Sequence, residues 1–170
     1  YGQDARRRRS IYHEQGTLLR RLGHFQEAAR VFENSVNESS TDVDGSLQAS
    51  IELARCHLLT GKVGLARKTL EAARADGASA GVELESHCLR AEIALQVGDL
   101  TKGIEFAKRS VEGAVRLGDR VAETNGRLVH GQLLLALGRL DEAYSEFREA
   151  KQLATSILLW SSQAEAQLGL

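Results

Sequence analysis

Two adjacent cysteine–histidine pairs, Cys56-His57 and His87-Cys88, are the residues of this sequence that most resemble metal ligands. A tetrahedral zinc site needs four converging ligands, usually with a close Cys-x-x-Cys or His-x-His spacing, and neither spacing is present. We therefore expect no metal and no cofactor. Two cysteines are also too few for a disulfide framework, which favours reduced thiols and a cytoplasmic location.

A run of four arginines, Arg6–Arg9, is the densest charge cluster of the chain. Such a cluster can bind phosphate, an acidic protein or nucleic acid. The whole chain, however, has a net charge of −1 and a pI near 6.6, and no aromatic residues accompany the run as a stacking platform. We interpret the run as a solvated helix face and expect no nucleic-acid partner for this segment.

No set of residues in the sequence forms a nucleophile with its base, a pair of catalytic carboxylates or a phosphate-binding loop. The stretch from Gly61 to Gly64 contains a lysine between two glycines but lacks the rest of a phosphate-binding loop. The sequence therefore predicts that this segment is not an enzyme.

The composition favours one soluble helical unit. The 170 residues include 42% hydrophobic residues, few aromatic ones and no proline, so the strongest helix breaker is missing from the whole chain. No apolar run approaches the ~20 residues that cross a bilayer, so we expect no membrane partner. Because the chain begins without methionine and ends within a helical pattern, we expect it to be part of a longer protein.

Four glycines interrupt the apolar pattern at a nearly constant interval. Gly23, Gly61, Gly98 and Gly138 are 38, 37 and 40 residues apart. Each one follows a segment with apolar residues at helical spacing and precedes another such segment, and glycine readily supplies the left-handed residue that ends a helix. A fixed period of this length is typical of stacked helical repeats.

This pattern predicts an all-α fold in which short loops force successive helices to lie antiparallel. We expect a single array over residues 1–170, with nine helices in four pairs and the start of a fifth. The predicted units are residues 4–42, 43–79, 80–118 and 119–155, and the fifth pair begins within 156–170.

Small residues recur at one position in each helix of a pair. Such residues allow two helices to approach to ~8 Å, so we expect them at the closest contact of each pair. In the first helices they are Gly16, Ala54, Ala91 and Gly131, and in the second helices they are Ala28, Ala66, Gly103 and Ala143.

These positions resemble the tetratricopeptide repeat, and the resemblance covers essentially the whole chain. It is carried in the first unit by Tyr12, Gly16, Leu19, Gly23, Phe25, Ala28 and Phe32, and in the fourth by Gly131, Leu134, Gly138, Leu140, Ala143, Phe147 and Ala150. The terminal proline and the tryptophan of that family are missing. The long period and the turn Leu117–Glu123 are similar to arrays in bacterial LuxR-type regulators and signal-transduction ATPases.

The resemblance implies a right-handed superhelix whose concave face, lined by the first helix of each pair, binds a protein or peptide. An apolar strip edged by polar residues would suit an amphipathic helix. The alternative interpretation is that the leucines of this face pack against neighbouring first helices. The residues expected on the concave face are His13, Thr17, Arg20, Gln48, Ile51, Arg55, Leu58, Glu85, Cys88, Glu92, Leu95, Asn125, Leu128, Gln132 and Leu135.

Our main functional hypothesis is a scaffold that binds a partner peptide or helix in this groove. The alternative is a regulatory domain that senses a ligand or peptide for a transcriptional regulator or signalling ATPase. A third possibility is self-association through uncapped ends, where Ile157, Leu158, Leu159 and Trp160 would be exposed.

Overall fold

The structure is a computed structural model that describes residues 2–38, 42–73 and 75–168, with side chains described between residues 7 and 158. The described residues form eight α-helices and no β-strand. The helices are α1 (Gly2–Arg21), α2 (Phe25–Glu38), α3 (Val43–Leu59), α4 (Val63–Ala72), α5 (Ala80–Val97), α6 (Leu100–Leu117), α7 (Arg120–Ala136) and α8 (Leu140–Leu168).

The glycines that the sequence singled out end the first helix of each pair. All four adopt a left-handed conformation, with φ between +74° and +85°. At the end of α5, the Gly98 N–H bonds to the Leu95 carbonyl and the Asp99 N–H bonds to the Ala94 carbonyl at 2.9 Å. These two bonds satisfy carbonyls that a helix end leaves free, and they turn the chain sharply into α6.

Aspartates begin two of the first helices. The Asp42 carboxylate accepts a bond from the Gly45 N–H at 3.1 Å, and the Asp119 carboxylate accepts one from the Ala122 N–H at 2.9 Å. Residues 39–41, which precede Asp42, lie outside the described part of the chain. Side-chain caps of this kind fix where each helix starts.

The helices lie in two layers. The first helices α1, α3, α5 and α7 contact one another in sequence, whereas no contact joins α2, α4, α6 and α8 within the described ranges. We call the first set the inner helices and the second set the outer helices. Because the inner helices contact one another and the outer helices do not, the array curves towards the inner helices. This all-α solenoid of antiparallel pairs confirms the predicted fold class.

The core is a chain of small clusters along the array. One cluster, around Phe32 and Cys56, joins α1, α2 and α3, and further clusters join α3 to α5 and α5 to α8. All the predicted small positions are buried. The residue closest to Gly131 is Phe147 rather than Ala143, and Phe32 faces Gly16 in the same way. Each ring thus packs against the glycine of its own pair, and Phe32 also belongs to the cluster that reaches α3 of the next pair.

The predicted break near residue 156 is wrong, since α8 runs without interruption from Leu140 to Leu168. The preceding outer helix ends at Gly118, which has φ +68°, and the corresponding position forty residues later is Leu158. A leucine does not readily adopt that conformation. The Thr155 and Ser156 hydroxyls bond back to carbonyls of the same helix, so they do not interrupt it.

Candidate functional site

The polar residues predicted on the inner face form an ion network across three helices. Arg20 Nε of α1 lies 2.9 Å from Glu52 Oε2 of α3, without the alignment of a hydrogen bond. Arg55 Nε lies 3.8 Å from the other Glu52 oxygen, and Arg55 Nη2 donates to Glu85 Oε1 of α5 at 3.0 Å. Gln48 donates to the second Glu85 oxygen, also at 3.0 Å. The network thus ties the first three inner helices together.

Arg55 is the centre of this network. Burial by itself would lower the pKa of Arg55, but the charges of Glu85, Glu52 and Glu92 outweigh burial and raise it. Glu52, which the sequence prediction left out of the inner face, has only 8% of its side chain exposed and depends on the two arginines for compensation. Because these charges neutralise one another within the protein, little charge remains for a partner in this region.

Cys88 and Glu92 form a second polar contact on α5. The Cys88 thiol donates to Glu92 Oε1, with the sulfur 3.8 Å from the oxygen. Burial raises the pKa of Glu92, and the nearby charge of Arg55 only partly offsets this effect. Burial, together with the charge of Glu92, raises the pKa of the Cys88 thiol to about 11. This thiol is therefore protonated and weakly nucleophilic at neutral pH.

The apolar residues predicted on the inner face fall into a buried group and an exposed group. Ile51 is fully buried in the core between α3 and α5, so it cannot contact a partner. Leu58 packs against that core, and Leu95 and Cys88 pack against the next cluster. These apolar residues of α3 and α5 therefore pack wholly or partly into the core.

On α7 the equivalent residues remain open. Leu128 is 41% exposed and Leu135 is 52% exposed. Asn125 and Gln132 lie on the same side of the helix and are also exposed. These four residues, which we call the α7 strip, form an uncharged surface with two leucines and two amides. No inner helix covers the strip within the described residues.

The opposite side of α7 is fixed to α8 by charges that the sequence prediction did not include. Arg127 lies 2.8 Å from Glu123 and 3.0 Å from Glu146, and its Nη1 lies 2.7 Å from Glu149. His130 Nδ1 is 3.1 Å from Glu146. These contacts hold α7 in a fixed rotation, so the α7 strip stays directed away from α8.

At the other end of the array, the predicted residues of α1 are less enclosed. His13 is exposed and meets Phe32 edge-on, with the ring centroids 6.2 Å apart, and Thr17 is half-buried. Two members of the arginine run are paired: Arg8 with Glu38 at 3.1 Å, and Arg9 with Asp42. The Arg6 side chain lies outside the described part. These ion pairs give Arg8 and Arg9 partners within the fold.

The cysteine–histidine pairs do not converge. His87 stacks on Phe106 of α6 with centroids 5.9 Å apart, as expected for a residue that faces an outer helix. Cys56 is buried, and burial raises the pKa of its thiol to about 11. Among the described residues, no three potential metal ligands lie together, and no helix has the length and apolar character of a membrane span.

Two family models, both described as tetratricopeptide repeat, match the sequence over residues 13–82 and 125–149. No curated protein matches it. Among solved structures, the chain is similar to one named "MamA MSR-1 C2", with 17% sequence identity and a TM-score of 0.41, over 88% of this chain and 98% of that chain.

Proposed function

Because this chain belongs to the tetratricopeptide repeat family, whose members are scaffolds for protein–protein interaction, we propose that its inner face binds a peptide or helix of a partner protein. The observation that carries this proposal is the α7 strip, where Leu128 and Leu135 remain exposed while their equivalents on α3 and α5 are covered. We assign the segment no catalytic step.

The chemistry of the α7 strip favours an amphipathic helix as the partner. Leu128 and Leu135 are seven residues apart, or two helical turns, so they present apolar contacts about 10 Å apart on one side of α7. Asn125 and Gln132 alternate with them and can bond to polar groups beside an apolar partner face. A helix placed along an apolar groove uses anchors with this spacing.

A binding experiment with matched variants tests the proposal. The chain is immobilised and exposed to lysate of the source cells, and captured proteins are quantified by mass spectrometry. We expect the double variant Leu128→Ser/Leu135→Ser to lose the specific partner at least about tenfold, because each leucine would bury apolar area in the complex. The control Leu65→Ser/Leu140→Ser removes two exposed leucines from outer helices and should retain it. If both double variants retain the partner and stay helical by circular dichroism, the α7 strip is not the binding surface.

The alternative role, a ligand- or peptide-sensing regulatory domain, would need a ligand site in addition to the protein contact. A cavity between the outer helices α4 and α6 favours this second role. A low-mass ligand of a sensor should raise the melting temperature by mass action in the absence of any protein partner.

A further inference from the structure

A cavity of about 260 Å³ lies between the outer helices α4 and α6, above the inner helix α5. The two outer helices do not contact each other in the part of the chain that the structure describes, and the cavity occupies the gap between them. Leu70, Ile93 and Phe106 contribute apolar walls. This site is separate from the α7 strip and does not depend on the binding of a peptide or helix there.

The guanidinium of Arg90 lies at the wall of this cavity. Its Nε donates to Ser86 Oγ at 3.2 Å, its Nη2 donates to the Leu70 carbonyl, and its carbon lies 5.9 Å from the centre of the Phe106 ring. Among the described side chains, no carboxylate forms an ion pair with Arg90, and its Nη1 has no hydrogen-bond partner. Burial lowers the pKa of Arg90, and the more distant charge of Glu71 offsets this only in part. A half-buried cation without an anion is costly, which makes the position suitable for a bound anion.

Comparison with the next helix pair shows what is missing. Forty residues after Arg90 stands His130, and forty residues after Phe106 stands Glu146. In that pair the histidine lies 3.1 Å from the glutamate, so the basic side chain has a carboxylate from its own outer helix. In the α5–α6 pair a phenyl ring takes the place of that carboxylate, and the cavity opens beside it.

The charged residues at the rim do not supply the anion either. The Glu71 carboxylate accepts a bond from Arg67 Nε at 2.7 Å, and Lys102 lies 3.4 Å from Asp99. The rim charges thus cancel in pairs, which leaves Arg90 as the cation of the site.

We propose that this cavity binds a small organic carboxylate, with its carboxylate on Arg90 and a flat apolar body against Phe106 and Ile93. Nη1 of the planar guanidinium retains N–H donors that a carboxylate can accept. The volume is just below the usual range for ligand pockets, which favours an acid with one or two rings.

The first experiment compares two probes of the same shape on the unmodified chain at constant pH, by isothermal titration calorimetry. Phenylacetate carries the carboxylate, and phenylacetamide replaces it with a neutral amide. We expect phenylacetate to bind one to one and at least about tenfold more tightly, the usual advantage of a hydrogen bond to a charged group. Equal affinities, or no binding of phenylacetate at millimolar concentration, would overturn the proposal without any variant.

Three variants then locate the binding. Arg90→Gln should reduce the affinity for phenylacetate to that for phenylacetamide, while the control Arg148→Gln, which removes an exposed arginine of α8, should leave it unchanged. Glu71→Gln should strengthen the binding of phenylacetate, because it removes a negative charge that acts on Arg90. An equal loss in the Arg90 and Arg148 variants would show non-specific attraction of anions and would contradict the assigned site. The probe comparison decides the outcome if Arg90→Gln does not fold.

Discussion

Replacing Gly131 with alanine should destabilise the protein, although alanine is the better helix former. The added Cβ would lie 2.6 Å from Phe147 Cε1 and 2.9 Å from its Cδ1, well inside the ~3.5–4.0 Å of a normal carbon contact. Helix propensity alone would stabilise the variant by about 1 kcal/mol. Displacing a packed ring costs about 1–3 kcal/mol, so the net change is a loss of up to about 2 kcal/mol.

Gly64→Ala is the matched control for this prediction. Gly64 also lies in a helix, but no atom lies within 4 Å of the position that the added methyl group would occupy, so the same substitution should stabilise the protein. Urea denaturation followed by circular dichroism measures both free energies of unfolding. We expect the two variants to differ by about 1–3 kcal/mol, which is the cost of the clash.

A double variant separates the clash from other effects. Phe147→Leu removes the ring that meets the new methyl group, so Gly131→Ala should cost less in that background than in the natural chain. If Gly131→Ala is as stabilising as Gly64→Ala, or if its effect is the same with and without the ring, the contact between α7 and α8 has been assigned to the wrong residues.

Two further predictions concern a single residue each. Glu92→Gln should stabilise the protein at pH 7.5, because burial raises the folded-state pKa of Glu92 and its ionised form is therefore costly in the folded protein. The contribution of Glu92 to the free energy of unfolding is present below the unfolded-state pKa and is lost as pH rises through the folded-state pKa. Urea denaturation at several pH values should show this advantage shrinking in acid, and an advantage that grows in acid would contradict the sign. Gly138→Ala should cost about 1 kcal/mol, because Gly138 has φ +75°, whereas Gly81→Ala, at a position without positive φ, should not. Equal melting temperatures of these two variants would refute the reasoning about the turn.

The sequence predicted the four glycine turns and the burial of the small residues, because both depend on local residue types. Gly98 ends α5 through a backbone conformation that few residues other than glycine adopt, and Gly16 lies where only a hydrogen atom fits beside Phe32. The continuous α8 was also predictable in principle, since Leu158 replaces the glycine that ends α6. The repeat pattern obscured that signal because it suggested another unit.

The inner face was less predictable, because its exposure depends on whether another inner helix packs over each position. Ile51 and Leu128 occupy equivalent positions in the repeat, yet one is fully buried and the other is 41% exposed. The pairing of Glu52 with Arg20 joins α3 to α1 across more than thirty residues, and no local pattern reports such a contact. The cavity beside Arg90 depends on the gap between α4 and α6, and no local pattern reports the spacing of two outer helices.

Photo-crosslinking to the captured partner tests most directly whether the inner face is the binding surface. A benzophenone side chain is introduced in place of Gln132, within the α7 strip, and separately in place of Lys151, on an exposed outer position of α8. We expect the partner to crosslink to position 132 and not to position 151. Crosslinking at position 151 alone would contradict binding at the inner face.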